Sequence, residues 1–382
     1  MKKQKFNYEE IFGIGPMVTR IGAKEYYLNS DNHLKAEYTT EKEASEHIRQ
    51  LINESVYSEI LTENICSLLS GGLDSSVLTA IAAKDYYKKF GKPLKTYSFQ
   101  YENSENIDRP WVEKVISYIE TEHTFLEIGT DELINNLFKV VDARGYPGMA
   151  DIDSSLLSFL SLIKEDTFFT GEGADEVFGG YWWMQKDEVF ENFPWSSDIE
   201  TRTWFLKDSF KLGIEKFVNN TFKETYTNNH KLTIDWFMPV LVDRTEKISS
   251  FANKTPLMPY ANEALLSYVY NLRSSFKKDK YILRKAANGV LPEEILYRKK
   301  FPYPKTYNKS YTNRVTEMMF DVLNSTHEPI NEYLDREKTI QLLKRKDEIE
   351  EAKIKPFFGQ LMAHPQQIGY LLQVNYWLKT MN

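Results

Sequence analysis

The chain has 382 residues, 42% hydrophobic and 27% charged, a composition that excludes a disordered protein and allows a sizeable core. A net charge of −7 gives no attraction to nucleic acid or to an anionic membrane, and no run approaches the roughly 18 apolar residues of a membrane span. The single cysteine, Cys66, excludes an internal disulfide, and the N-terminus, MKKQKFNYEE, lacks the apolar stretch of a secretory signal, so the expectation is a cytoplasmic protein without zinc.

Residues 6–40 read as short strands, Ile11–Ile14, Met17–Ile21 and Tyr26–Leu28, with Asn29-Ser30-Asp31-Asn32 as a turn after them. From Glu41 to about Glu59, apolar residues fall at helical spacing (Ala44, Ile48, Leu51, Ile52, Val56). Asn64–Leu69 is an apolar run with the look of a buried strand. It leads through Ser-Gly-Gly into a helix over Ser75–Phe90, stopped by Gly91. Leu94–Tyr101 reads as strand, Asp108–Glu122 as helix and His123–Ile128 as strand. Asp131–Ala143 and Ser154–Ile163 read as helices, and Asp166–Thr170 as a strand running into Gly171-Glu172-Gly173. From about residue 190 the chain is mostly helical. Strands alternating with helices over 60–180 predict an α/β fold, a parallel sheet with helices on both faces. Ligands bind such sheets at the carboxyl ends of the strands, where both glycine-rich loops fall.

The first loop is Ser67-Leu68-Leu69-Ser70-Gly71-Gly72-Leu73-Asp74-Ser75-Ser76. Its glycines permit a tight turn and close approach of backbone to a ligand. Asp74 or Ser75 is placed to cap the following helix, whose N–H groups and dipole make an anion site. The Gly-Lys-Ser/Thr of a Walker loop is absent. A carboxylate beside phosphate calls for a metal between them, which makes Asp74 a candidate Mg²⁺ ligand. The second loop, Thr170 to Tyr181 (TGEGADEVFGGY), holds three acids and four glycines in twelve residues. Acids this dense repel unless cations or protons intervene. Asp175 is placed to share the metal of Asp74. Glu172 or Glu176 is placed to accept a proton or to bind a substrate amine.

Together the loops resemble the synthetase domain of the asparagine synthetase family, within the PP-loop ATP pyrophosphatases of the adenine nucleotide α-hydrolase-like fold. Tyr97-Ser98-Phe99, Asp243-Arg244, Lys280-Tyr-Ile-Leu-Arg284, Leu291-Pro292, Arg298-Lys299-Lys300-Phe301 and the Tyr370–Leu378 helix extend the likeness. The resemblance implies an ATP and pyrophosphate site of Leu69, Ser70, Gly71, Gly72, Leu73, Asp74, Ser75, Ser76, Phe99, Thr170, Gly171 and Lys280. It implies Mg²⁺ on Asp74 and Asp175, and catalytic roles for Glu172 and Lys300. It implies residues 1–40 as a short β remnant resembling the end of a glutaminase domain, and residues 41–382 as the ligase domain with a mostly helical C-terminal part.

The expected activity is that of an ATP-dependent ligase in a specialised pathway. A small-molecule or peptide carboxylate is adenylated with release of pyrophosphate. Ammonia or an amine, supplied free or by a separate glutaminase, then takes the acyl group as an amide. The Glu-x-Arg-x-Pro-Phe-Leu-Asp segment of the family is degraded at Lys254–Asn262 (KTPLMPYAN), which lacks an acid–x–Arg pair. The 144–155 loop is expected to line the acceptor site. There Asp151 and Asp153 either meet a cationic group or, with Ser154, cap a helix. A catalytically silent ATP-binding relative is the alternative. A tRNA-modifying pyrophosphatase is disfavoured by the acidic charge and single cysteine.

Overall fold

The computed structural model describes residues 6–18, 39–102, 108–186, 203–221, 228–299, 308–347 and 364–381. Strands β1 (Ile65–Leu68), β2 (Leu94–Tyr101), β3 (Thr121–Ile128), β4 (Thr167–Phe169) and β5 (Thr255–Leu257) form one sheet in the order β3-β2-β1-β4-β5. Every pairing is parallel, as the alternation of strands and helices predicts. Cys66 lies opposite Lys95 on one side and Phe168 on the other.

Side chains alternate across the sheet and feed two cores. Ile65 and Phe169 enter one; Cys66 and Phe168 enter the other. The first core is closed by α2 (Glu41–Glu59), α3 (Leu73–Phe90) and α4 (Arg109–Tyr118). The second is closed by α5 (Thr130–Arg144) and α6 (Asp151–Leu162). Beyond β4 come α7 (Ala174–Phe178), α8 (Asp208–Thr221) and the long α9 (Asn229–Phe251). α9 sends Ile234 and Met238 into the first core and Leu232 and Phe237 into the second. Among the described residues the rest is mostly helical, as the sequence predicts.

Local signals set most of these elements. Thr40 and Glu43 form a capping box that starts α2. Gly91 ends α3 in the left-handed region (φ 69°), its N–H donating to the Tyr87 carbonyl at 2.8 Å.

The structure corrects the sequence reading at several points. The strands expected at Ile11–Ile14 and from Met17 are instead α1 (Tyr8–Gly13) and a 3₁₀ turn over Gly15–Val18. The Asn7/Glu10 capping box nucleates α1 and outweighs the short apolar run. The expected strand at Tyr26–Leu28 lies outside the described residues. The helix expected to reach Glu122 ends at Tyr118, because Ile119 turns extended and Thr121 already pairs with Leu94. β5 was not foreseen. Pro256 obscures it, yet proline is tolerated in an edge strand.

β1 and β4 are neighbours, but the sheet grows from β1 toward β2 and from β4 toward β5. The crevice between them is a topological switch point, the usual ligand site of such sheets. The two glycine-rich loops leave the sheet on either side of it.

Phe168 is fully buried in central strand β4. Phe168→Ala is expected to destabilise the fold by about 3–5 kcal/mol, read from the urea denaturation midpoint.

Candidate active site

The first loop is held from below by β2. Leu69 donates its N–H to the Tyr97 carbonyl at 2.8 Å, and the Ser98 hydroxyl donates to the Leu69 carbonyl. Gly71 then turns through the left-handed region (φ 68°), where an added Cβ would lie 2.7 Å from the Val112 nitrogen. Only glycine fits that approach. Gly72, not Asp74 or Ser75, is the N-cap of α3, and no side chain caps the helix. Asp74 and Ser75 lie in its first turn instead. Ser75 folds back, its hydroxyl accepting the Ser70 N–H at 3.1 Å and pairing with the Ser70 hydroxyl at 2.9 Å. An 18-residue helix that starts without a side-chain cap behind a glycine turn suits an anion.

Arg298 secures this loop. It donates to the Ser70 carbonyl at 3.3 Å, pairs with Asp108 and lies over the Trp111 ring. The sequence gives it only as part of a stretch that extends the family likeness; its partner Asp108 lies 190 residues away.

The second loop abuts the first. A Cβ on Gly171 would lie 3.2 Å from the Ser75 nitrogen, and Thr170 is anchored by its N–H to the Leu257 carbonyl at 3.0 Å. Asp74 from the first loop and Asp175 from the second converge on one ammonium. Lys280 Nζ lies 2.5 Å from Asp175 Oδ1 and also contacts Asp74 Oδ2. Burial works to lower the pKa of this lysine. The Asp175 and Asp74 carboxylates outweigh burial and hold it above the ordinary lysine value.

Backbone geometry is spent on this contact. Asp279 and Lys280 both have positive φ (49° and 57°), unusual for non-glycine residues. A Cβ on Gly180 would overlap both the Asp175 carboxylate and Lys280 Cε. Tyr260, fully buried, donates its hydroxyl to the Asp74 carbonyl at 3.0 Å.

Glu172 faces a different partner, Arg244 of α9, with Oε1 3.2 Å from Nη1. Burial pushes its carboxyl above the usual range, Arg244 pulls it back, and Asp175 and Asp74 add to the rise. Glu176 is 1% exposed and takes the Tyr181 hydroxyl; burial, then Asp175, raises its pKa too. Of the two acids left open by the sequence, Glu172 is the one reaching solvent, with 23% of its side chain exposed.

Asp151 and Asp153 neither cap α6 nor meet solvent. Ala150 is the N-cap. Asp151 accepts from Gln366 at 3.2 Å, and Asp153 is enclosed between Arg144 and Arg244 at 2.8 and 2.7 Å. Phe99 is half-buried on β2 with its ring 5.0 Å from Phe159. Leu69 and Leu73 are buried beneath the first loop. Lys300 lies outside the described residues. Among the described residues no group of three or more His, Cys, Asp or Glu side chains is placed to hold a metal ion. A cavity of about 620 Å³ between α2 and α3, bordered by Arg49, Tyr57 and Lys84, shares no residue with this site.

A parallel α/β sheet with a glycine-serine loop, an acidic loop and a buried cation gathered at its switch point defines an α/β ligand-binding domain of the doubly wound kind. The asparagine synthase family model matches residues 47–379, and the chain belongs to that family. The chain is 37% identical over 369 residues to glutamine-hydrolyzing asparagine synthetase 3 of Bacillus subtilis (strain 168), covering 87% of this chain and 59% of that protein. It is 23% identical to asparagine synthetase 1 of the same organism, covering 81% and 57%. The chain thus spans well under two thirds of the length of these relatives. NMN synthetase from Francisella tularensis aligns with 56% of this chain and 94% of its own at 14% identity and a TM-score of 0.26, too loose a likeness to bear on function.

Removing the buried ammonium leaves two facing carboxylates. Lys280→Met is expected to destabilise the protein by about 3–5 kcal/mol at neutral pH. In that variant two close carboxylates would repel without a cation between them, so protonation of one is expected to relieve the fold and stability to recover as pH falls. Urea unfolding at neutral pH and at about pH 5 should show the deficit narrowing.

Proposed function

We propose that the chain is an AMP-forming amide ligase that adenylates a carboxylate and passes the acyl group to ammonia or an amine. Membership of the asparagine synthase family supports an ATP-dependent amide ligase in general. The observation that carries the finer reading is the convergence of Asp74 and Asp175 on one cation, beside a glycine turn and an uncapped helix start.

In this reading the backbone N–H groups of residues 71–76 take the β- and γ-phosphates of ATP, with Ser70, Ser75 and Ser76 adding hydroxyls. Phe99 and the 97–99 strand border the adenine, and Thr170 and Gly171 close the other side. The donor set at Asp74 and Asp175 is hard oxygen around a point already holding positive charge, which fits Mg²⁺ completed by phosphate oxygens. Bound there, the ion would neutralise charge on the departing pyrophosphate. Lys280 would then be free to turn its ammonium to the phosphates, and Lys300 would supply a second cation.

The substrate carboxylate attacks the α-phosphorus and pyrophosphate leaves. The nitrogen nucleophile then attacks the acyl carbon, Glu172 takes its proton, and AMP leaves with the amide formed. The relatives' names specify asparagine synthesis with glutamine hydrolysis. For this chain we favour ammonia or an amine, free or from a separate glutaminase, in a cytoplasmic setting. A carboxylate other than free aspartate is favoured by the 254–262 segment. Its Lys254 donates to the Glu165 carbonyl at 2.8 Å, and residues 255–257 are spent in β5.

Pyrophosphate exchange with MgATP and a panel of carboxylates, followed by product analysis, tests the reading. AMP is expected; ADP would overturn it. Asp74→Ala should lower exchange on the order of 100-fold or more with the fold intact by circular dichroism. Glu172→Gln should slow amide formation more than exchange, since its proton transfer belongs to the second step.

A further inference from the structure

We infer that Arg244 is the positioning residue for Glu172, and that Asp153 and Arg144 fix Arg244 in turn. This rests on the role proposed for Glu172 above and adds a residue to that site.

The guanidinium of Arg244 is used along two edges. Nε donates to Asp153 Oδ1 at 2.7 Å and Nη2 to the Ile152 carbonyl at 3.2 Å, which docks it on the first turn of α6. Nη1 is then directed at Glu172 Oε1, 3.2 Å away. A guanidinium is planar, so two bonds on one side fix the direction of the third.

Asp153 is itself over-determined. Its Oδ2 accepts from Arg144 Nη1 and from the Met149 N–H, both at 2.8 Å. Arg144 is held by the Tyr146 hydroxyl at 3.0 Å, and that hydroxyl donates to Asp243 at 2.5 Å. A Cβ on Gly148 would overlap the Asp153 carboxylate, so the chain makes room for this pair.

Exposure falls steadily inward: 23% for the Glu172 side chain, 3% for Arg244, none for Asp153 or Arg144. Two buried guanidiniums share one fully buried carboxylate. The surplus positive charge therefore needs anions at the rim, and Glu172 is the one that faces the switch-point cleft. The cluster thus ties an acid on a glycine-rich turn to the rigid starts of α6 and the body of α9. Glu172 sits on a glycine-flanked turn that by itself leaves its carboxyl free to shift, whereas Asp175 is held separately by Lys280. Arg244 removes that freedom. Displacement of a reacting group by about 1 Å costs on the order of 100-fold in rate.

The test compares wild type, Arg244→Met, Arg244→Lys, Glu172→Gln and the Arg244→Met/Glu172→Gln double variant, using MgATP and the carboxylate that supports exchange best. Arg244→Met should keep pyrophosphate exchange near the wild-type rate and lose on the order of 100-fold in amide formation with ammonia. The double variant should lose little more than Glu172→Gln alone, because both act through one carboxylate. Arg244→Lys preserves charge next to Asp153 but cannot make the fork, and should fold while staying impaired. Equal losses in both half-reactions or additive losses in the double variant would each overturn the inference. Should no carboxylate support exchange in the wild type, the ligase reading fails instead. The crystal structure of Arg244→Lys then decides the positioning: Glu172 displaced with Asp153 and Arg144 unmoved supports it, and Glu172 unmoved refutes it.

Discussion

Two loops from two neighbouring strands put carboxylates within reach of one ammonium, and the architecture of the site follows from that contact. Asp74 and Asp175 lie on the loops after β1 and β4, a hundred residues apart, while Lys280 arrives from a third segment. A buried ammonium is unfavourable alone, and two close carboxylates are unfavourable alone; together they satisfy each other. The contact also fixes the spacing of the two loops across the switch point. Gly180 without a side chain and positive φ at Asp279 and Lys280 are the local concessions that allow it.

A second buried ionic cluster runs from Glu172 through Arg244 to Asp153 and Arg144, under the same loop but toward the second core. The two clusters divide the charge between them. One gathers carboxylates around a cation beside the glycine-serine loop. The other gathers guanidiniums around a carboxylate and offers a single acid to the cleft. Their meeting point is the short stretch Glu172–Asp175, whose members turn to opposite partners.

Elements with a full period were legible in the sequence. α3 and β2 stood out because their apolar spacing persists for several turns or pairs. Elements decided by a cap or by tertiary pairing were not. α1 depends on the Asn7/Glu10 box beneath a run that looks like strand, and β5 is three residues with a proline in the middle. The site divides the same way. Asp74, Glu172 and Asp175 declare themselves because acids crowd glycines in one stretch. Asp153, Arg144, Arg298 and the partner of Glu172 do not, because each meaning lies in a contact across tens to hundreds of residues. Asp153 reads locally as a helix cap, and only the approach of Arg244, 91 residues on, shows it to be the centre of a buried ion pair.

The geometry also bears on how much the site must reorganise to act. Glu172 and Asp175 are each held by an ion pair to a separate helix or turn, and Thr170 is anchored to β5. The loop is therefore clamped at three points before any ligand arrives. A clamped polar site stabilises developing charge without first having to orient its dipoles, which is where such sites gain over water. The exception is Lys280. Its ammonium occupies the position between the carboxylates. If the site takes a metal and a triphosphate as proposed above, that ammonium would have to give way, and a buried ammonium left without an anion is costly. The position of one lysine would then favour the two ligands entering together.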